Sequence, residues 1–220
     1  MAYFVYGDKE TDYLKSKDKK LGVIIDRIGH IEREIDPDPF SAVLHNIIGQ
    51  QISAKALQTV WLRLQNNLGE ITPPNVAATD IKTIQASGIS LRKASYIKDF
   101  ADKIVRGEFN LKAITALPDR EAINALVTLK GVGVWTAEMI LLFCLQRPDI
   151  LSFGDFAILR GIRMVYRRRE TDKATLVKIA RRLSPYGSVA SLYFWAVAGG
   201  ALPELTDPKD SSATKKRPAS

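Results

Sequence analysis

Two stretches of the chain place residue types at spacings that support chemistry. In Leu129-Lys130-Gly131-Val132-Gly133-Val134-Trp135-Thr136-Ala137, two glycines stand one residue apart. They allow a tight backbone turn that presents N–H groups to an outside ligand. A helix expected from Val134 or Trp135 adds free amides and the positive end of its dipole in the same direction. Such a turn suits a phosphate oxygen. It follows no strand, so it is not a dinucleotide fingerprint, and it lacks the Gly-Lys-Ser/Thr of a Walker loop. A plain corner between helices, with glycine present for its backbone freedom, accounts for the same G-x-G. Further on, Asp155 opens another helix in Ser152-Phe153-Gly154-Asp155-Phe156. One role for it is an N-cap that accepts amide hydrogen bonds. The same helix terminus favours an ionised carboxylate. Beside a sugar, that carboxylate can stabilise an oxocarbenium-like centre or orient a water toward C1′. Asp149 competes for this part, but it follows Pro148 and opens no helix.

The elements around these stretches are helical nearly throughout, with little two-residue alternation and no Asn-Gly or Asp-Gly hairpin signal. Asp36-Pro37-Asp38-Pro39 reads as a stop followed by a helix start, with Pro39 suited to the first turn. The helix continues through Phe40, Val43, Leu44, Ile47 and Ile48, and Gly49-Gln50-Gln51 interrupts it before a second one carrying Leu57, Val60, Trp61 and Leu64. Pro73-Pro74 is expected to start a loop, Thr79 or Asp80 to cap a short helix, and Gly88 to end it. Further helices are expected over 91–106, 119–128, 135–145, 156–166, 173–183 and 185–198. In the first thirty-odd residues periodicity assigns no element, although Tyr3, Phe4, Tyr6 and Tyr13 offer rings to pack on the last helices. After Pro203 the composition turns to Pro, Asp, Ser, Lys and Thr, and 203–220 is expected to be a flexible tail.

The 220 residues are 46% hydrophobic and 25% charged, ordinary globular values that exclude a chain disordered throughout. The longest apolar runs, such as 139–145, are too short to cross a bilayer, so no membrane association is expected. No basic stretch leads into an apolar core and cleavage site at the start, and the lone Cys144 fits a reducing compartment. An intracellular protein is expected, in cytoplasm or nucleoid if bacterial and in the nucleus if eukaryotic. One cysteine excludes a four-cysteine zinc or iron–sulfur site, and His30 and His45 lack H-E-x-x-H spacing. Neither a metal nor another cofactor is expected. The net charge is +8, which favours anionic partners, nucleic acid above all. Most of the surplus sits between Arg160 and Arg182, where nine Lys or Arg face only Glu170 and Asp172. That run is either a solvated turn between helices or a phosphate-binding face.

The full hairpin string resembles the L-P-G-V/I-G-x-x-T-A element of the helix-hairpin-helix DNA glycosylase superfamily, with Lys130 in place of the proline. The resemblance narrows to the DNA-3-methyladenine glycosylase II family, the alkylpurine DNA glycosylases. Ile47-Ile48-Gly49-Gln50-Gln51-Ile52-Ser53 matches its I-x-G-Q-Q/L-x-S, Trp135-Thr136-Ala137 its tryptophan before Thr-Ala, and Tyr193-Phe194-Trp195 its last core helix. It covers roughly 38–200.

This resemblance implies an all-α helix-hairpin-helix glycosylase fold with two helical subdomains and the active-site cleft between them. The domain would span 1–202, divided into a central subdomain over 40–150, with the hairpin at 129–137, and a second formed by 1–39 plus 155–202. It makes Asp155 the catalytic carboxylate, although Phe153-Gly154 stands where the family has proline before it. The substrate-base pocket falls to Trp135, Trp195 and Met139, with core packing the other reading for Trp195 and Met139. DNA binding falls to Lys130, Gly131, Val132, Gly133 and Thr136 of the hairpin, to Gln51 as the residue entering the duplex, to Gln50 and Ser53 beside it, and to Arg160 and Arg163. The lyases of the superfamily carry lysine where Trp135 stands, so water is the expected nucleophile and no lyase activity is expected. The expected partner is double-stranded DNA containing alkylated bases, bound by a monomer. A scaffold that keeps the hairpin but does no chemistry, and a glycosylase for another damaged base, are the alternatives.

Overall fold

The computed structural model describes residues 2–209. Among them lie thirteen α-helices and one sheet of two two-residue strands, β1 (Ala2–Tyr3) and β2 (Glu34–Ile35). The chain divides into two compact units, one formed by Tyr3–Glu34 with the chain from Gln146 onward, the other by Ile35–Leu145.

In the first unit, α1 (Asp8–Lys17) and α2 (Lys19–Ile28) fill the stretch that periodicity leaves unassigned. Only Thr11 and Leu14 of α1 are buried, so its apolar repeat is too sparse to read. Asp18 makes the break between them, its Oδ1 accepting the N–H groups of Lys20 and Leu21 to cap α2. The unit is completed by α11 (Phe156–Tyr166), α12 (Lys173–Leu183) and α13 (Gly187–Ala198). Of the four early rings, Tyr13 does reach the last helices: its hydroxyl donates to the Ser184 carbonyl at 2.6 Å and its ring meets Tyr186 edge-on. Tyr3 instead is 42% exposed.

At the centre of this unit α11 and α13 pack backbone to backbone. Gly161 is the reason: a Cβ there would stand 2.1 Å from the Phe194 carbonyl oxygen. Tyr193 and Phe194 are wholly buried beside it. Residues 203–209 depart from the expected flexible tail. Asp207 is 3% exposed and accepts both Nε and Nη2 of Arg163, and Glu204 pairs with Arg27. The remainder of that tail, with Lys215-Lys216-Arg217, lies outside the described residues.

The second unit runs α3 (Pro39–Gly49), α4 (Ala54–Leu68), α5 (Pro73–Ala78), α6 (Ile81–Ala86), α7 (Leu91–Val105), α8 (Leu111–Ala116), α9 (Asp119–Leu126) and α10 (Val134–Phe143). Where a loop is expected from Pro73-Pro74, a helix starts, capped by Thr72 with proline in its first turn. Proline lacks only an N–H that the first turn leaves unpaired anyway. Phe40, Leu44, Ile47 and Ile48 of α3, with Ile97 and Phe100 of α7 and Leu141 and Leu142 of α10, supply buried core residues. The junction falls at 34/35 rather than at 39/40, and the Asp36 N–H bonds the Phe143 carbonyl within the second unit.

Candidate functional site

The expected site residues fall into two groups, one on each unit. On the first unit, Asp155 is the N-cap of α11, with extended backbone that leaves its side chain folded over the helix terminus. Its Oδ1 accepts the N–H groups of Ala157 at 2.8 Å and Ile158 at 2.9 Å. A third donor comes from α13, the indole Nε1–H of Trp195 at 3.1 Å. Three N–H donors therefore meet on this one carboxylate oxygen, two of them at a helix N-terminus, and fix its orientation. The close approach permitted by Gly161 is what brings α13 near enough for Trp195 to reach. Asp155 is 7% exposed, and Phe156 next along is 88% exposed, so a large apolar ring stands in solvent beside the carboxylate.

Asp149 is otherwise employed. Its Oδ1 accepts the Gly187 N–H at 3.0 Å and its Oδ2 the Ser184 hydroxyl at 2.5 Å, which fixes the start of α13. Arg163 is held in the buried pair with Asp207, while Arg160 is exposed one turn earlier on the same helix. The Arg163 guanidinium keeps the Asp207 carboxyl below the usual carboxylate range against its burial, and the Lys209 N–H and the charge of Arg160 add to this.

On the second unit the hairpin uses its two glycines differently. Gly131 has φ +83°, and a Cβ there would lie 2.5 Å from the Tyr96 ring. Both handedness and space demand glycine. Gly133 is extended and exposed, the N-cap of α10, with open space where a side chain would go. No side chain caps this helix start, which lies at the surface. Val132 and Thr136 are buried, so their side chains serve packing. Lys130 projects outward and its ammonium bonds Asp99 at 2.9 Å. Burial pushes the Asp99 carboxyl up, but hydrogen bonds from Lys130 and Lys103 bring it below its ordinary value.

The α3–α4 turn is fastened to this hairpin. Gln50 Nε2–H donates to the Gly131 carbonyl at 2.7 Å, while Lys93 of α7 donates to the carbonyls of Ile48 at 2.8 Å and Gln50 at 2.6 Å. Lys93 thereby places a cation at the carbonyl end of α3. Burial, with Arg92 alongside, lowers its pKa. Gln51 follows with φ +60°, a left-handed conformation that costs a non-glycine residue about 1 kcal/mol or more. Its side chain is exposed. Ser53 caps α4 by accepting the Ala56 N–H. Gln50 and Gln51 line a cavity of about 530 Å³ together with His45, Asn46, Arg92 and Trp135. Trp135 is 43% exposed, whereas Met139 is buried, the packing alternative. Lys93, Tyr96 and Asp99 go unread in the sequence because the partners that tie them to the α3–α4 turn and the hairpin lie more than thirty residues away. The apolar period of α7 shows only its buried face. Cys144 is buried too, which together with Asp36 and Asp38 pushes its thiol up to about 12.

A family model described as "HhH-GPD superfamily base excision DNA repair protein" matches residues 44–185. The chain is 29% identical over 163 residues to the DNA-3-methyladenine glycosylase 1 of Schizosaccharomyces pombe, covering 72% of each chain. It superposes with TM-score 0.83 and 29% identity on a crystal structure of a DNA-3-methyladenine glycosidase from Bacillus halodurans, over 97% of this chain and 100% of that one. A Schizosaccharomyces pombe 3-methyladenine DNA glycosylase in complex with abasic DNA is similar at TM-score 0.77 and 25% identity, covering 90% and 99%.

Proposed function

This chain belongs to the HhH-GPD superfamily of base excision DNA repair proteins, and on that premise we propose that it is a monofunctional DNA glycosylase for alkylated purines. It would bind duplex DNA as a monomer, turn the damaged nucleotide out of the stack and hydrolyse its N-glycosidic bond, leaving an abasic site in an intact strand. The Schizosaccharomyces pombe and Bacillus halodurans proteins named above as 3-methyladenine glycosylases or glycosidases, and the abasic DNA held by one of them, support the substrate class.

The observation that carries the chemistry is the Asp155 carboxylate at the mouth of α11, with three donors on one oxygen. Breaking the glycosidic bond leaves positive charge on the sugar, and a carboxylate held negative in advance stabilises that charge without reorganising. An N-alkylated purine is cationic and already a good leaving group, so its departure needs no strong general acid. The same cation is drawn to an electron-rich indole face by roughly 0.5–2 kcal/mol, the part we assign to Trp135. For Trp195 the observed hydrogen bond supports orienting Asp155 instead. Water is the nucleophile in this scheme, since the position at which related lyases place an amine carries Trp135.

Binding divides between phosphates and the gap. The amides at Gly131 and Gly133 and the start of α10 take phosphate oxygens, with Lys130 as a neighbouring charge, whereas the Val132 N–H is spent on the Leu129 carbonyl and only helps shape the turn. Turning a nucleotide out costs a few kcal/mol. Gln51, already bent into the left-handed region and exposed, enters the space left behind, backed by Gln50.

Duplex DNA carrying one methylated purine tests the assignment. Asp155→Asn should lose excision by orders of magnitude while keeping affinity for the duplex, because the amide is isosteric but uncharged. Undiminished base release by this variant would remove Asp155 from the chemistry.

A further inference from the structure

One concentration of unneutralised charge lies apart from the residues assigned to excision and to the hairpin, and joins the basic run after Arg160 to the first two helices. A recess of about 590 Å³ in the first unit is lined by Lys17, Lys19, Lys20, Arg168, Lys178 and Arg182, with Asp18 its one carboxylate. Three elements meet there in a regular way. Lys17 closes α1, Lys19 and Lys20 open α2, and Thr175, Lys178, Ile179 and Arg182 form one stripe of α12 at three- and four-residue spacing. Arg168 enters just after Arg167, whose left-handed backbone turns the chain out of α11.

Asp18 does not neutralise this wall, because it is consumed in building it. Its Oδ1 caps α2, and its Oδ2 accepts the Tyr166 hydroxyl and an Arg182 N–H, both at 2.6 Å. That buried carboxylate locks α2, α11 and α12 together and fixes the geometry of the recess. Among the described residues, Lys17, Lys19, Lys20, Arg168 and Lys178 make no ion pair. Asp172, the exposed N-cap of α12, is another acid that feels two of them, Lys178 and Arg168. Hydrogen bonds from Thr175 lower its pKa first, with Lys178 and Arg168 adding to the effect.

Five uncompensated cations around one preformed recess store mutual repulsion that a multiply charged anion relieves. An acidic protein face would have to send several carboxylates down a single hollow. A run of phosphates carries at least one charge per group on a narrow chain and fits the volume of a ligand site. We propose that this recess is a second anion site, distinct from the hairpin, that takes closely spaced phosphate groups, from a nucleic-acid backbone or from a free polyphosphate.

The test compares Lys20→Gln/Lys178→Gln with a charge-matched control, Lys9→Gln/Lys112→Gln, all four positions being exposed and clear of the residues assigned to excision. One arm measures binding of a short undamaged duplex across a salt series. If the recess holds backbone phosphates, the slope of log K against log salt falls by about 2 in the recess variant alone. The other arm measures the thermal shift given by inorganic tripolyphosphate. If the source is a free polyphosphate, wild type and control shift, the recess variant does not, and duplex binding is unaltered. The proposal is overturned if recess and control variants behave alike in both arms. Base release is read in neither arm, so a protein that excises nothing still answers the question.

Discussion

The Asp155 carboxylate owes its orientation to a neighbour as much as to its own helix. Two of its three donors are amides of α11, which any N-cap would enjoy, but the third is an indole N–H from another helix. A hydrogen bond to a charged group contributes about 1.5–3 kcal/mol. Trp195→Phe keeps the ring packing and deletes that donor alone. Excision under single-turnover conditions should therefore slow by about tenfold or more, with KM and duplex affinity little changed. A raised KM with an unaltered chemical rate would instead make Trp195 a wall for the base, the role expected of it from the sequence. At this scale the carboxylate was legible: its place before an apolar helix and after a glycine hairpin marked it, while its indole partner, forty residues away, could not be read from spacing.

Helix bounds were legible where an apolar repeat meets a strong cap. Both α11 and α12 begin after capping aspartates, Asp155 and Asp172, and their ends fall where the periodicity stops. Short or polar elements hid. In α1 two buried residues give no stripe, and α5 and α8 have six residues each, too few for a period to show. Equally invisible was the reason Gly161 stands in mid-helix, where glycine ordinarily weakens a helix. The structure supplies it, since even one methyl group would collide with the Phe194 carbonyl. Gly161→Ala should raise intrinsic helix propensity yet destabilise the protein by at least about 1–3 kcal/mol, the usual cost of overpacking. It should also slow excision in whatever fraction stays folded, because separating α11 from α13 pulls Trp195 off Asp155. Urea unfolding gives the first quantity and activity per folded molecule the second. A variant as stable as wild type would mean that the helix pair is more yielding than its geometry implies.

Over the molecule as a whole, charge divides into pairs that close the structure and cations left to face an anion, and composition alone cannot sort them. Arg163 looked like a DNA contact within the basic run, yet its guanidinium is spent on Asp207. The segment expected to be loose from 203 is thereby anchored as far as 209, with Glu204 bonded to Arg27 as a second tie. This anchoring has a pH signature. Arg163 holds the Asp207 carboxyl below its ordinary value in the folded protein, whereas an unfolded aspartate titrates near 3.9. Folding therefore favours the ionised form, so the pair's contribution is present above about pH 4 and disappears as acidification passes through the lower folded value. Asp207→Asn removes the charge and leaves Arg163 without its counter-ion. At pH 7 the variant should unfold more easily by on the order of 2 kcal/mol, the scale of a hydrogen bond to a charged group. The gap between variant and wild type should narrow steadily below about pH 4. Urea titrations from neutrality down to pH 3 measure that gap directly, and one that stayed constant over the whole range would mean that the charge on Asp207 does not hold the segment.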